Sequence, residues 1–520
     1  DIRRSYARNI SFFSEIAQIM VKDPVTISER TVEALIPSEV VRKVQLDERL
    51  HAEWVRYVLV IDDNNRLTNV IDYIDVLQNS TGLVNRVAVI GMGYVGLTLA
   101  VSLANRGHQV TGIDIQRSLI DALNKGNPHI LEPGLLDILK ANLECKSIEF
   151  CSVFESVNHQ VYIVAVGTPL DAASKPNLLY LIEALSEISK VLKKGNQVIL
   201  RSTVPVGVTR DIVIPYLEEK TGLIAGEDFY VSFSPERTIE GMAMHELKTL
   251  PQIVSGYSLK CTQMSAEFWS TLTPTVVRVD SLEAAEMVKL ANNTFRDISF
   301  SFANELALLA DNYNVNAFKL INAANEGYPR NKIPTPSPGV GGYCLTKDPI
   351  LFSCTAEGLR PDAVLGIASR TINERAAMYP AKLIEKYVTK KGILISECNV
   401  LILGVAFKGV PETADIRGSV AFDIKDSLSK SVKRIIACDA VVSPEELHQA
   451  GFEATKNISE IMSEIDGVLI LNNHPDNIRS EIYSPSSKGR LLFDGWHQYD
   501  AAEIESIPGL EYATMGYMTE

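Results

Sequence analysis

The run Pro338-Gly339-Val340-Gly341-Gly342-Tyr343 delivers Cys344, with Lys347 and Asp348 close behind it. A cysteine set where a loop enters a helix is a candidate nucleophile, because the helix dipole and a nearby lysine lower a thiol pKa from ~8.5 and raise the thiolate fraction. A buried packing cysteine is the commoner case for this residue type, but glycine- and proline-rich approaches are mostly exposed. Cys145, Cys151, Cys261, Cys354, Cys398 and Cys438 have no such setting and read as packing residues. Lys289 and Asn293, four apart, share a helix face with Glu286. A Lys-Asn pair can polarise a hydroxyl or hold an oxyanion, although the same spacing also describes a solvated face. Glu236 and Glu240 follow a strand end and can serve as general bases, with plain surface charge as the alternative.

A second group of residues supplies an electron acceptor. Val87-Ala-Val-Ile90 runs into Gly91-Met-Gly93-Tyr94-Val95-Gly96, a buried strand entering a glycine turn and then an apolar helical segment. Such a turn lets backbone approach a pyrophosphate, whose charge faces the helix N-terminus. Asp114 ends the next strand, where a carboxylate accepts hydrogen bonds from an adenosine ribose and repels a 2'-phosphate. NAD is therefore favoured over NADP, with Arg117 nearby weighing the other way. A nicotinamide cofactor beside a nucleophilic thiol means oxidation through a covalent intermediate.

The surrounding chain must position these groups. At 520 residues it is too long for one core and implies three or four units. A net charge of -14 argues against nucleic acid or an anionic membrane as partner. Seven scattered cysteines without CxxC spacing indicate neither a disulfide framework nor a metal site, so a cytoplasmic setting fits. No apolar run approaches membrane length. From 84 to 275 strands at 87–90, 109–113, 161–166, 197–200 and 229–233 alternate with helical segments, the pattern of a parallel doubly wound sheet. Residues 281–315 hold no Gly or Pro and predict one long helix, suited to a connector or dimer interface, within a helical region at 276–390 that carries the cysteine. A second alternating series fills 391–520. The fold class is α/β: two Rossmann-like domains joined by a long central helix. Before them, residues 1–80 read as a small α+β unit with a helix at Ile16 to Met20 and a hairpin through Tyr57-Val-Leu-Val-Ile61 and Val70-Ile-Asp72. That segment resembles a single cystathionine-beta-synthase-type (CBS) repeat, which implies either an adenine-nucleotide site or a packing and dimerisation element.

The set "VAVIGMGYVG", "GNPHILEPGL", "VAVGTPLD", "RSTVPVG", "FSPERTIEG", "EMVKLANN", "PGVGGYCLTKDP" and "GVAFKG" resembles the UDP-glucose/GDP-mannose dehydrogenase family, in family order from 84 to 520. The resemblance implies oxidation of C6 of a nucleotide-linked hexose to the carboxylate with two NAD and no free aldehyde. It implies Cys344 as the nucleophile of a thiohemiacetal and a thioester, with Lys289 and Asn293 on the oxyanion. Thr203 and Asp348 would position water, and Glu236 and Glu240 would carry base chemistry and thioester hydrolysis. Thr168 and Thr203 would line the nicotinamide, while Gly341 and Lys408 would reach the sugar nucleotide. Arg330 matches an arginine inserted into a neighbouring subunit's site, so a dimer or higher oligomer is expected.

Departures bear on the substrate. Asp415 and Arg417 lie two residues farther past Lys408 than the family pattern places them, which puts Arg417's cofactor contact in question, and Gly418 stands where Glu is common. Trp496 stands where UDP-glucose dehydrogenases often carry a substrate arginine. "PGVGGYC" is closer to the "PGVGGHC" of UDP-N-acetylhexosamine dehydrogenases than to "GFGGSC", with Tyr343 for the histidine, and leans toward an N-acetylated sugar; UDP-glucose and GDP-mannose are the alternatives. A two-electron beta-hydroxyacid dehydrogenase is a rival that needs neither Cys344 nor a second alternating domain. An inactive, CBS-regulated binding protein predicts a damaged catalytic set, which Cys344, Lys289, Asn293, Glu236 and Asp348 are not.

Overall fold

The computed structural model describes residues 26–28, 57–62, 66–72, 85–154, 158–354 and 363–518. The helix expected at Ile16 to Met20 lies outside the described residues. β1 (Thr26–Ser28), β2 (Tyr57–Ile61) and β3 (Leu67–Asp72) form a separate small sheet, with β1 parallel to β2 and β2 antiparallel to β3. The expected hairpin is present, and the Asp62 carboxylate accepts from the N–H of Arg66 at 2.8 Å across its turn.

The first large sheet contains β4 (Arg86–Ile90), β5 (Gln109–Ile113), β6 (Ile148–Cys151), β7 (Val161–Val164), β8 (Gln197–Leu200), β9 (Tyr230–Phe233), β10 (Gln252–Gly256) and β11 (Val276–Arg278). Their spatial order is β11-β10-β9-β8-β7-β4-β5-β6. Numbered from β4, the first six follow the 3-2-1-4-5-6 order of a dinucleotide-binding sheet. Helices cover both faces, which is why these strands are Val- and Ile-rich without alternation. Val87, Val89 and Ile163 pack with Leu97 and Ala100 of the helix Tyr94–Ala104 on one face, while Ala88, Val164 and Leu200 pack with Leu181 and Leu185 on the other. β9 and β10 pair antiparallel, so the sheet is not parallel throughout as expected. The sequence pattern does not reveal β6, β10 and β11, in which polar residues (Glu149, Gln252, Ser255, Arg278) interrupt the apolar run.

The second sheet contains β12 (Asn399–Leu403), β13 (Arg434–Cys438), β14 (Glu453–Ala454), β15 (Gly467–Ile470), β16 (Arg490–Asp494), β17 (Leu510–Thr514) and β18 (Tyr517–Met518). Its order β14-β13-β12-β15-β16-β17-β18 repeats the 3-2-1-4-5-6 plan and adds an antiparallel edge at β18.

Between the sheets runs the helix Leu282–Asp311, 30 residues or about 45 Å long. Ser281 caps it, its hydroxyl accepting from the N–H of Ala284 at 3.1 Å. It ends short of the expected Val315, because the chain turns at Asn314, whose φ is 50°. Its polarity is inverted relative to an ordinary surface helix. Glu286, Lys289, Asn293, Asp297, Ser301 and Asn304 are buried along one stripe, while Phe295, Phe302 and Leu309 are 72%, 56% and 55% exposed along another. Lys289 and Asn293 of that stripe stand at the site described next. No helix among the described residues is long and apolar enough to cross a membrane.

Candidate active site

The dinucleotide turn has the shape its glycines require. Gly91 has a φ of 94°, and a Cβ at Gly96 would lie 1.8 Å from the Gly91 carbonyl oxygen, so strand and helix meet here with no room for a side chain. A Cβ at Gly93 would meet nothing within 4 Å, which leaves the turn open toward a ligand. The first-turn N–H groups of Tyr94, Val95 and Gly96 have no intrahelical acceptor and suit a pyrophosphate. Asp114 is half-buried and accepts from the N–H groups of Met92 at 2.8 Å and Gln116 at 3.0 Å, leaving acceptor capacity for ribose hydroxyls. Arg117 is exposed. These residues fit NAD. Gly93→Ala is expected to leave the melting temperature almost unchanged while raising the KM for NAD at least about tenfold, or ~1.4 kcal/mol. Gly96→Ala is expected to destabilise the fold by about 1–3 kcal/mol as well; thermal unfolding and NAD titration separate the two.

Cys344 lies in the turn leading into the helix Asp348–Cys354, its carbonyl accepting from the N–H groups of Lys347 at 3.2 Å and Asp348 at 2.8 Å. The preceding loop is not exposed as expected: residues 336–340 are buried, and the loop presses on the second sheet's domain so closely that a Cβ at Gly341 would lie 2.6 Å from the Gly418 carbonyl oxygen. Cys344 itself keeps solvent contact. Burial of the thiol among its neighbours still pushes its pKa above the ordinary value, against the pull of Lys289 and Lys347 and with the help of Asp348 and Glu240. The lowering expected from the helix and Lys347 is therefore not the net result in the free enzyme. The buried Lys347 ammonium donates to the Thr168 hydroxyl at 3.0 Å, which in turn donates to the Thr203 carbonyl at 2.5 Å, so Lys347 is shared between that pair and the thiol.

Asn293 donates to Asp348 Oδ2 at 2.6 Å, joining the long helix to the cysteine turn. Asp348 Oδ1 is buried with no hydrogen-bond partner among the described residues, and the Lys347 ammonium stands 3.9 Å away. An unsatisfied buried acceptor is costly, and this one belongs to a carboxylate whose charge acts on Cys344. Lys289 is buried nearby and its charge acts on both Cys344 and Glu236.

The two glutamates divide. Glu236 is buried and accepts from Arg201 Nε at 3.0 Å and Nη2, and from the N–H groups of Arg237 at 2.7 Å and Thr238 at 2.6 Å. Burial alone would raise its pKa, but Arg201, the Thr238 N–H and Lys289 outweigh it and hold the carboxyl below its usual range. With four donors on its carboxylate and its pKa lowered, it is held for structure more than freed for the base role expected of it. Glu240 is the opposite: burial and Asp415 push its pKa up, against Lys408, Thr413 and Arg417. Of the two expected bases, only Glu240 has its pKa shifted upward, the direction a general base near neutral pH needs.

Glu240 also touches the second sheet's domain. Lys408 donates to its backbone carbonyl at 2.6 Å and the Thr413 hydroxyl to its carboxylate at 3.2 Å. The loops after β9 and β12 thus meet, bringing the carboxyl ends of both sheets to one crevice. The longer loop after Lys408 does not remove Arg417 from it. Its Nε and Nη2 lie 2.9 and 2.7 Å from Asp415 oxygens, it stacks 5.1 Å over the Tyr343 ring, and its charge acts on His129, which also senses Asp114. Asp439, the second sheet's counterpart of Asp114, is buried and accepts from the N–H groups of Val405, Ala406, Val441 and Val442. Both of its oxygens are thus engaged in securing its own loop. Trp496 donates its indole N–H to the Leu471 carbonyl at 2.9 Å.

Not every expected residue joins the crevice. Arg330 is exposed and stacks 5.4 Å over Tyr328. Glu286 shares the buried helix face but accepts from the N–H groups of Gly207 at 2.6 Å and Thr209 at 2.9 Å, fixing the turn after "RSTVP". Cys145 is exposed rather than packed. Sequence reasoning missed Arg201 and Glu132. The Tyr94 hydroxyl donates to Glu132, whose carboxylate accepts from the N–H groups of Gly241 at 2.8 Å and Met244 at 3.2 Å, linking the dinucleotide turn to the Glu240 loop. A charged residue directly following the apolar run Val198-Ile199-Leu200 was the available sign of a buried pair at Arg201.

Three family profiles match in succession: the UDP-glucose/GDP-mannose dehydrogenase NAD binding domain at 85–273, the central domain at 283–375 and the UDP binding domain at 401–501. A UDP-N-acetyl-D-mannosamine dehydrogenase of Pyrococcus horikoshii is 35% identical over 413 residues, 79% of this chain and 95% of that protein. A solved UDP-D-ManNAc dehydrogenase structure from Pyrococcus horikoshii aligns with a TM-score of 0.72 at 32% identity, covering 83% of this chain and 99% of that one. A UDP-glucose dehydrogenase from Pyrobaculum islandicum aligns with a TM-score of 0.73 at 25% identity, covering 84% and 99%. The chain therefore belongs to the UDP-glucose/GDP-mannose dehydrogenase family and is an NAD-dependent nucleotide-sugar 6-dehydrogenase.

Proposed function

We propose that the substrate is a UDP-N-acetylhexosamine, with UDP-N-acetyl-D-mannosamine foremost, and that Cys344 holds it covalently between the two oxidations. The observation that carries the mechanism is Cys344 within one crevice with Lys289, Asn293 and Asp348, beside the Thr168-Lys347 pair on the cofactor side. The sugar rests on the activity named for the 35% identical relative and on the "PGVGGYC" loop. The turn Gly91 to Gly96, Asp114, Thr168, Thr203, Lys347 and Arg417 hold NAD, which when bound accepts the hydride of each oxidation. Lys289 and Asn293 stabilise the oxygen as its charge develops. The Cys344 thiolate adds to the C6 aldehyde carbon to give a thiohemiacetal, which the second oxidation converts to a thioester. Asp348 Oδ1 holds the attacking water, Glu240 takes its proton, and hydrolysis returns the thiol and releases the uronate. Lys408 and Gly341 contact the nucleotide sugar from the other wall. The working units are 84–275 for cofactor, 276–390 for the thiol and 391–520 for the nucleotide sugar.

The exposed stripe Phe295, Phe302 and Leu309 is assigned to a second copy of the chain, which would place Arg330 against the neighbouring site. Sedimentation at micromolar concentration is expected to show at least twice 57.3 kDa; a monomer would refute the pairing.

The substrate test is NADH formed per sugar nucleotide across UDP-N-acetylmannosamine, UDP-N-acetylglucosamine, UDP-glucose and GDP-mannose. Two NADH per UDP-N-acetylmannosamine, with a kcat/KM at least about tenfold above UDP-glucose, is expected, since a lost polar contact costs at least ~1.4 kcal/mol. One NADH per sugar overturns the covalent mechanism, and a preference for UDP-glucose or GDP-mannose overturns the sugar.

A further inference from the structure

The helix Leu365–Ala377 brings Arg370 and Asn373 against the buried stripe of the long helix. Arg370 Nη1 lies 2.9 Å from Asp297 Oδ1, and both residues are buried. The same nitrogen donates to the Val340 carbonyl at 3.2 Å and approaches the Leu345 carbonyl at 3.5 Å, one on each side of Cys344. Asp297 also accepts from the Ser369 hydroxyl at 2.7 Å and from Asn373 Nδ2 at 2.8 Å. Asn373 Oδ1 in turn accepts from Asn304 at 2.9 Å, and Asn304 Oδ1 accepts from the N–H of Ser337, where the nucleophile loop begins, at 2.8 Å.

We infer that the buried Asp297-Arg370 pair is a positioning device for the reaction, holding the backbone on both sides of Cys344 so that the thiol is presented at one fixed place. The residues touch neither thiol nor crevice and act through the loop. A buried ion pair is a poor source of net stability, because desolvation offsets its attraction, so its retention here calls for a role in specificity. Positioning is such a role: one nitrogen, Nη1, carries all three contacts, and the rigid planar guanidinium fixes where it sits, which a flexible lysine or an apolar residue does not reproduce. A small displacement of a reacting group can cost on the order of 100-fold in rate. The inference rests on Cys344 as the nucleophile, and its test reads the thiol directly as well as turnover.

The experiment compares wild type with Arg370→Lys, which keeps a charge for Asp297, Arg370→Met, and the double variant Asp297→Asn with Arg370→Met. Steady-state kinetics are measured together with iodoacetamide labelling of the free enzyme, quantified separately at Cys344 and at the core residue Cys398. A kcat reduced about tenfold in Arg370→Lys and about 100-fold in the Met variants is expected. The KM for NAD should stay within about threefold, Cys344 labelling should become several-fold faster, and Cys398 should stay unlabelled. Wild-type kcat and labelling in all three variants would overturn the inference. So would loss of activity accompanied by Cys398 labelling, which marks general unfolding. Should Cys344→Ala prove active, the nucleophile reading falls, while the labelling rates still report whether the pair holds the loop.

Discussion

Cys344→Ala is expected to lower conversion of the sugar nucleotide to its uronate by at least about 1,000-fold, since removal of a covalent nucleophile forfeits an entire route rather than one contact. NADH yield and product mass spectrometry check it, and full turnover by the variant would end the thioester mechanism. The thiol's surroundings add a pH signature. Burial, Asp348 and Glu240 hold its pKa above the ordinary value in the free enzyme. The thiolate fraction therefore keeps rising through the alkaline range, and so should iodoacetamide labelling of Cys344. Asp348→Asn removes a charge that opposes the thiolate, so labelling at pH 8 should become faster, while turnover falls because the amide keeps its oxygen toward Asn293 and sets an NH2 where Oδ1 held the water. Those opposite signs in one variant distinguish a chemical role for Asp348 from a structural one.

Arg201→Ala is expected to destabilise the cofactor domain by about 3–5 kcal/mol, because it leaves the Glu236 carboxylate buried without its main counter-charge. The arginine is itself fully buried, stacked 4.7 Å over Trp269 and within 3.3 Å of Gln252 Oε1, so packing is lost as well. Denaturant unfolding followed by tryptophan fluorescence measures it. Glu236 has a native pKa below its unfolded value of about 4.3. The stability it contributes is fully present above that unfolded value and is lost as pH falls through the depressed native one. Arg201→Ala should remove that acid-side contribution, and unchanged stability would show that the backbone N–H donors suffice alone.

Much of this architecture is legible along the chain because its signals are local. Buried parallel strands such as β5 and β8 fall at the expected 109–113 and 197–200, since a Val- and Ile-rich run between turns has few other readings. The site residues Lys289 and Asn293 are placed by helical spacing alone. What eludes the sequence is long-range pairing and its electrostatics. Glu236 reads as a base until Arg201, 35 residues away, is seen to occupy it, and Lys347 reads as a partner for its neighbouring thiol alone until Thr168, 179 residues away, is seen to share it. The raised thiol pKa has the same origin, because burial is a property of the assembled crevice.

The inverted long helix has a consequence for how this chain can change. Its buried stripe sets Glu286 against the turn after "RSTVP", Asn293 against the cysteine turn, Asp297 against Arg370 and Asn304 against the loop at Ser337. Each added residue would turn everything beyond it by 100° and shift it by 1.5 Å. A single insertion between Glu286 and Asn304 would thus unseat several partners at once, whereas the loop after Lys408 carries extra length with Arg417 still stacked on Tyr343. The helix works as a ruler whose graduations are spoken for, and variation in length is confined to the loops that face it.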